Sequence, residues 1–381
     1  MLARLAKVSR EGIGTSGVSI LTDTGAEITG RKADLPLVPA SSLKLLTSLA
    51  VLDALGADHT FTTTVVSPSK GRLVLVGGGD PLLTDKASKS PAKPASLQAL
   101  AARTAAALGA SGITRVRLGY DDGLFSGPDF NPNWKNSWRT YVARVSPLMV
   151  GEGRFNAWRA DATPARTATA DFARRLQAAG FRVTVVGAQT ARPDAGVVAS
   201  VASAPLSSII ARTLSLSDNL AAEVLARQFA LAVGADPSFG GAATAMESWL
   251  KDHQLWSPGM RLVDGSGLSN RSRVTPDVLA HAVALSLTTP RLSAVAAGLP
   301  VAGRSGTLKG RFNDPVERIA RGNVHAKSGT LAGVGALAGY LTTKDGARVV
   351  FAVVGNRVAG QDTGYDWLDR TVATVVRCGC N

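Results

Sequence analysis

Apolar residues recur at helical spacing over Leu45 to Leu55, Leu97 to Leu108, Leu206 to Leu216, Leu220 to Leu231, Gly241 to Asp252 and Pro276 to Leu287. Each stretch predicts a helix that buries one face. Two more helices are expected at about Thr167 to Ala179 and Thr363 to Val376, and Gly56 is a normal stop for the first of the set, which runs from about Ser42 to Leu55. Shorter runs rich in β-compatible residues predict strands at Phe61 to Val66, Leu73 to Val76, Val116 to Tyr120, Phe181 to Val186, Leu331 to Leu341 and Ala347 to Gly355. Near the start, Gly17 to Leu21 and Glu27 to Gly30 alternate as a hairpin would. The run Gly77-Gly78-Gly79-Asp80-Pro81 reads as a tight turn, since it lacks the Gly-Lys-Ser/Thr ending of a phosphate loop.

The order of these elements divides the chain. Strands and helices alternate through the middle as a small α/β unit, whereas the flanking parts combine helices with strands drawn from both chain ends. We therefore expect an α+β main domain over 1–61 and 203–381, an antiparallel sheet with helices on both faces, interrupted by an inserted α/β domain over 62–202. A length of 381 residues and 45% hydrophobic content suit two such cores, and only the polar patch from Lys86 to Lys93 reads as disordered.

Charge and cysteines narrow the setting. The net charge of +14 calls for an anionic partner or surface, yet the basic residues are scattered and aromatics make up only 5%. That pattern argues against nucleic acid and for an anionic wall or membrane surface. No run of 18 apolar residues occurs, and Met1 to Gly12 has no apolar signal core, so an exported protein would be represented here in trimmed form. Cys378 and Cys380, separated by Gly379, are expected to form a short-loop disulfide in an oxidising compartment, the alternative being free thiols; without a histidine nearby they complete no metal site.

The chemistry concentrates in three short motifs. Ser41 and Lys44 stand three apart at the start of the helix, on one face, where a lysine that loses its proton can activate the serine. Taken alone this is also good helix grammar. Ser217-Asp218-Asn219 falls at a junction between two helices, and Lys327-Ser328-Gly329-Thr330 opens a strand-like run. With four histidines and no Gly-x-Ser-x-Gly elbow, a Ser-His-Asp triad is disfavoured.

Ser-x-x-Lys, Ser-Asp-Asn and Lys-Ser/Thr-Gly in that order resemble the motif set of penicillin-binding proteins and class A β-lactamases. Further segments are similar to the D-alanyl-D-alanine carboxypeptidases of the class C low-molecular-mass penicillin-binding proteins: Val76 to Pro81, Asp264-Gly265-Ser266-Gly267-Leu268-Ser269, Gly303 to Leu308 and Leu337 to Tyr340. The resemblance runs through almost the whole chain, including the long insertion between the first two motifs. It departs from the family in two places. Trp138 reaches Thr167 in under thirty residues, so the further nested domain that members often carry is expected to be missing or vestigial, and Ser328 stands where threonine is usual.

The resemblance implies an exported, wall-facing serine enzyme that takes the D-Ala-D-Ala end of peptidoglycan stem peptides, or a β-lactam, onto Ser41, with no cofactor. Lys44 would be the base, lowered by desolvation and by the charge of Lys327. Ser217 would relay a proton to the leaving amine, and Asn219 would hold the substrate amide or Lys44. Lys327, Ser328 and Thr330 would take the substrate carboxylate, Asp218 and Gly329 would complete the binding surface, and the N–H groups of Ser41 and Thr330 would form an oxyanion hole. Asp264 and Ser266 are placed either at the cleft rim or in a structural turn. His325 is expected to pack at a strand end, and Trp134 and Trp138 to pack the insertion on the main domain or to line a wall-peptide surface. A β-lactamase-like hydrolase and a non-catalytic wall-peptide scaffold remain the competing readings, and carboxypeptidase and endopeptidase action are both left open.

Overall fold

The computed structural model describes residues 1–88, 94–156 and 159–378. In chain order the elements are α1 (Leu2–Leu5), β1 (Ile13–Thr22), β2 (Glu27–Arg31), α2 (Lys44–Leu55), β3 (Thr62–Ser69), β4 (Arg72–Val76), α3 (Leu97–Ala110) and β5 (Arg115–Asp121). They continue with β6 (Arg154–Asn156), β7 (Arg159–Ala160), α4 (Pro164–Ala178), β8 (Arg182–Ala188), β9 (Gly196–Ala202), α5 (Leu206–Leu216), α6 (Asn219–Ala232) and α7 (Phe239–Asp252). The last are α8 (Pro276–Thr288), α9 (Ser293–Ala297), β10 (Val324–Leu331), β11 (Val334–Thr342), β12 (Arg348–Val358) and α10 (Gln361–Arg377).

One five-stranded sheet, ordered β10-β11-β12-β1-β2 and antiparallel throughout, forms the main domain from both chain ends. Its central strands are buried on both faces, and the period of two divides their side chains between two cores. Ala336, Ala338, Val350, Ala352 and Val354 face the helical core built around α2, α6 and α8. Leu337, Leu341, Val349, Phe351 and Val353 face the opposite core, which is closed by Trp367, Leu368 and Val372 of α10. Helix α2 is buried continuously from Lys44 to Leu52. A helix covered on all sides needs no polar stripe, which explains its nearly uniform apolar sequence.

The chain leaves this domain after Phe61 and returns at Ser203, and the exit and entry are tied together: Ser203 N–H donates to the Phe61 carbonyl at 2.8 Å and Phe61 N–H to Ser203 Oγ at 2.9 Å. Between them lies a second sheet, ordered β8-β5-β4-β3-β9, with β4, β5 and β8 parallel and β3 antiparallel to both neighbours. Leu73, Leu75, Val116 and Leu118 point to one face, where Leu100 of α3 and Phe172 and Leu176 of α4 cover them.

Three expectations change. The Lys327 motif does not open the strand at Leu331 but lies inside a strand of its own, β10, which turns at Gly333 (φ +72°) into β11. Strand β9 has no counterpart among the expected elements. The Gly77 to Gly79 run is more than a turn: a Cβ on Gly78 would stand 2.0 Å from the Thr62 carbonyl oxygen, and one on Gly79 2.1 Å from Gln228 Nε2, so it is where the inserted domain closes on α6. The expected disulfide falls on Cys380 and part of the Lys86 to Lys93 patch on 89–93, both outside the described residues; Cys378 is buried.

Candidate active site

Ser41 lies in a short 3-10 turn, Ala40–Leu43, that runs straight into α2. The turn begins with Ala40 at φ +48°, a left-handed conformation that costs a residue with a Cβ roughly 1–3 kcal/mol. Two close approaches hold it there. A Cβ on Gly267 would lie 1.9 Å from the Ala40 carbonyl oxygen, and one on Gly329 of β10 would lie 2.7 Å from the Pro39 carbonyl oxygen and 3.0 Å from Ser41 N. The two glycines therefore let the Asp264 loop and the β10 edge clamp the serine turn from two sides.

Lys44 is wholly buried, and its Nζ has three partners: Ser41 Oγ at 2.9 Å, Asn219 Oδ1 at 2.7 Å and the Ser266 carbonyl at 2.8 Å. Two of these are carbonyl oxygens that only accept. A neutral amine has two N–H donors, and they match those two acceptors, leaving its lone pair for the Ser41 hydroxyl. Burial lowers Lys44 to about 8, against the carboxylates of Glu223, Asp218 and Asp264, which pull it upward. About one molecule in ten thus carries the free amine at pH 7. The expected help from Lys327 runs the other way, since Lys44 is one of the charges that lower Lys327.

The second motif arrives on the turn between α5 and α6. Ser217 takes a left-handed conformation (φ +58°), half-buried, and Asn219 two residues on reaches Lys44 while its amide donates to the Tyr141 carbonyl at 3.1 Å. Ser217 is not among the partners of Lys44. Asp218 is not a substrate-facing residue: its side chain caps α6 by accepting from Ala221 N–H at 3.0 Å and pairs with Arg212 at 2.8 Å. Arg212 also pairs with Glu152 of the inserted domain. Glu152 sits at φ +59° between Gly151 and Gly153, both also left-handed. The insertion therefore grips the second motif twice, through Tyr141 and through Glu152.

The third motif occupies the free edge of the main sheet. Ala326 N–H points away from β11 to the Pro300 carbonyl, so by the strand period the N–H groups of Ser328 and Thr330 face the same outer side. Lys327 is wholly buried and its Nζ donates to the Ser328 carbonyl at 2.7 Å. Burial, Lys44 and Arg311 push it well below the usual lysine value. It is Thr330 that reaches the cleft, 3.3 Å from the Tyr365 hydroxyl, while Ser328 Oγ lies 2.7 Å from Thr307 Oγ1. The Lys327 amine thus stands behind the hydroxyls rather than in front of them. The cleft itself measures about 540 Å³ and is shared by Ser41, Asn219, Thr330, Tyr365, Trp138 and Tyr141.

Asp264 and Ser266 leave the rim. Both are buried, and Asp264 ties its own loop by accepting from Trp134 Nε1 at 2.9 Å and from Ser269 and Gly267 N–H. Ser266 offers Lys44 its carbonyl. Trp134 packs edge-on against Phe239 of α7 and Phe130, joining insertion to main domain, whereas Trp138 lines the cleft. His325 stacks on Tyr340, ring centres 4.7 Å apart, at the end of β10.

Glu223 was not foreseen. It is buried one helical turn after Asn219, pushed up to about 7 chiefly by burial, and accepts from the N–H groups of Gly265 and Ser266. An acid in the middle of the apolar run Leu220 to Leu231 was the available signal, because such a residue is buried only when paired.

A serine held against a buried amine, with the sheet edge beside it, defines a Ser-x-x-Lys acyl-serine hydrolase of the penicillin-binding type. The family model for the D-Ala-D-Ala carboxypeptidase 3 (S13) family matches residues 5–158 and 152–375, and the chain belongs to that family. The carboxypeptidase DacB of Mycolicibacterium smegmatis is 35% identical over 373 residues, covering 94% of this chain and 79% of that protein. The D-alanyl-D-alanine carboxypeptidase of an Actinomadura species is 29% identical, covering 91% and 78%. That match spans 437 positions, more than the 381 residues here, so the relative carries residues that this chain lacks. The crystal structure of penicillin binding protein 4 (dacB) from Haemophilus influenzae has the same fold, with a TM-score of 0.83 at 20% identity over 97% of this chain and 98% of that one. The chain is accordingly a serine-type D-Ala-D-Ala carboxypeptidase.

Proposed function

We propose that Ser41 is the residue acylated, by the D-Ala-D-Ala end of a peptidoglycan stem peptide, in an extracytoplasmic, wall-facing setting. The observation that carries this is the bonding of Lys44, whose two carbonyl partners leave a neutral amine one lone pair, directed at Ser41. Lys44 takes the hydroxyl proton as Ser41 Oγ attacks the penultimate D-alanine carbonyl. The developing oxyanion falls toward the N–H groups of Ser41 and Thr330, each worth about 3 kcal/mol in sites of this kind. The proton then passes to the departing D-alanine amine, by way of Ser217 at the mouth of the second motif. Thr330 and Ser328 hold the terminal carboxylate with the charge of Lys327 behind them, so a free C-terminus is preferred. Where the leaving amine belongs to a cross-bridge, the same steps give endopeptidase cleavage.

A β-lactam presents a carboxylate and a reactive amide in the same relation, and the Haemophilus influenzae protein has been crystallised with one. Intact mass after mixing with benzylpenicillin is the test. An adduct on the wild type, absent from Ser41→Ala, is expected; no adduct and no loss of penicillin would overturn the reading, and rapid loss without adduct would make the protein a β-lactamase.

A further inference from the structure

The face of the inserted sheet turned away from α3 and α4 carries four exposed arginines, Arg72, Arg115, Arg117 and Arg182. The parallel register sets Arg72 beside Arg117 and Arg115 beside Arg182. Arg115 and Arg117, two apart on β5, share that face. With strands about 4.8 Å apart and alternate residues about 7 Å apart, the four Cα atoms fall within a patch roughly 15 Å across. Exposed Lys70, in the turn between β3 and β4, adjoins it.

Among the described residues no carboxylate pairs with any of the four. Other arginines of the same domain do have one, Arg174 with Asp171, Arg175 with Asp85 and Arg192 with Asp194. The acid on the same face of β5, Asp121, lies about 13 Å along the strand from Arg117 and accepts instead from Gly123 and Ala191 N–H. Like charges set directly opposite one another destabilise a sheet. Among the described residues no ion pair offsets this cluster, whereas planar guanidinium groups in a row match successive phosphates.

We propose that this arginine face docks the enzyme on a phosphodiester-bearing anionic polymer of the cell wall. No tryptophan, tyrosine or phenylalanine stands among the four, so bases of a single-stranded nucleic acid have nothing to stack on and a membrane has no aromatic anchor to receive. The choice of wall as the source rests on the wall-facing reading above. None of the residues around the Ser41 cleft belongs to β4, β5 or β8, so docking leaves the cleft free.

The test uses the full chain and soluble poly(glycerol phosphate) over a series of salt concentrations. A variant with Arg72→Gln, Arg115→Gln, Arg117→Gln and Arg182→Gln is compared with one that removes the same charge elsewhere, Lys7→Gln, Lys32→Gln, Lys309→Gln and Lys344→Gln. Wild-type affinity is expected to fall steeply with salt. The arginine variant should bind at least tenfold more weakly at low salt, with a log–log salt slope shallower by roughly 2–3 at about 0.7 per phosphate contact, and the lysine variant should match the wild type within about twofold. Equal losses in the two variants, no binding by the wild type, or equal or tighter binding to phosphatidylglycerol vesicles or duplex DNA would overturn the proposal. Turnover of a small D-Ala-D-Ala peptide, read alongside, should be unchanged in the arginine variant. Its loss in the wild type would count against the catalytic reading and not against this one.

Discussion

Lys44 on the helical side of the cleft and Lys327 on the sheet edge are both wholly buried, and burial is the leading cause that lowers each. Their surroundings then separate them. Glu223, Asp218 and Asp264 pull Lys44 back up to about 8, while the charges near Lys327 are cations, Lys44 and Arg311, that depress it further. The same side chain thus stays near 8 on one side, as the proposed base role requires, and has cations for charged neighbours on the other. Burial alone would not make that difference; the three carboxylates under the helical side do. In the proposed reaction, a substrate carboxylate held at Thr330 would supply to Lys327 what Glu223 and its neighbours already supply to Lys44.

The comparison breaks most visibly if the two lysines are truncated. Lys44→Met should slow acylation by penicillin by about 10²–10⁴-fold, the usual worth of a positioned base, with the loss in the chemical step. Lys327→Met should lower kcat/KM by roughly 10- to 150-fold, corresponding to about 1.5–3 kcal/mol for a contact to a charged group, and most of it should appear in KM. Steady-state kinetics on a D-Ala-D-Ala peptide separate the two. Equal effects on KM and kcat in both variants would mean that the lysines share one role.

A smaller effect tests how the insertion steadies the helical side. Glu152 is held in a left-handed conformation and pairs with Arg212, which in turn holds Asp218 beside Asn219. Glu152→Gln should slow acylation roughly three- to tenfold, about 1 kcal/mol for a partly exposed charged pair, with KM little changed. Glu152→Gly loses the same carboxylate but relieves the backbone, so it should melt at a higher temperature than Glu152→Gln while acylating no faster. A Gly variant as fast as the wild type would show that Arg212 does not need its partner.

The three motifs were legible because each is short, ordered along the chain and placed by local rules: a helix start, a helix junction and a strand. The long excursion between the first two was legible in the change from helical to strand periodicity. Other features were hidden because their cause is tertiary. β10 merged with β11 in the sequence, as Gly329, Gly333 and Gly335 give no apolar alternation to separate them. Asp264 and Ser266 sit in a glycine-rich stretch that reads as surface turn, and only the packing of Gly267 against Ala40 sends it under Lys44. Asp218 stands just before a helical run, where an aspartate is a common cap, but its pairing with Arg212 depends on tertiary packing.

The finest test of the comparison alters one carboxylate under Lys44. Glu223 raises Lys44, so Glu223→Gln should lower it below about 8 and move the acid limb of the acylation profile to lower pH. Glu223 is itself raised to about 7, so below that pH the wild-type side chain is already largely neutral and the two proteins should behave alike. The difference opens above about 7, where the wild type carries the charge and the variant does not, and it closes again once Lys44 has lost its proton in both. A gain of up to roughly twofold near pH 7.5 corresponds to a shift of up to about half a unit. The amide also sets an N–H against Gly265 N–H, which the carboxylate oxygen now accepts at 3.0 Å. A stability loss of about 1–3 kcal/mol should therefore accompany the shift, and the profile is best taken well below the melting temperature. An acid limb that moves upward instead would mean that Glu223 serves Lys44 as a proton partner and not as a fixed charge, and the contrast with Lys327 would then rest on Asp264 and Asp218 alone.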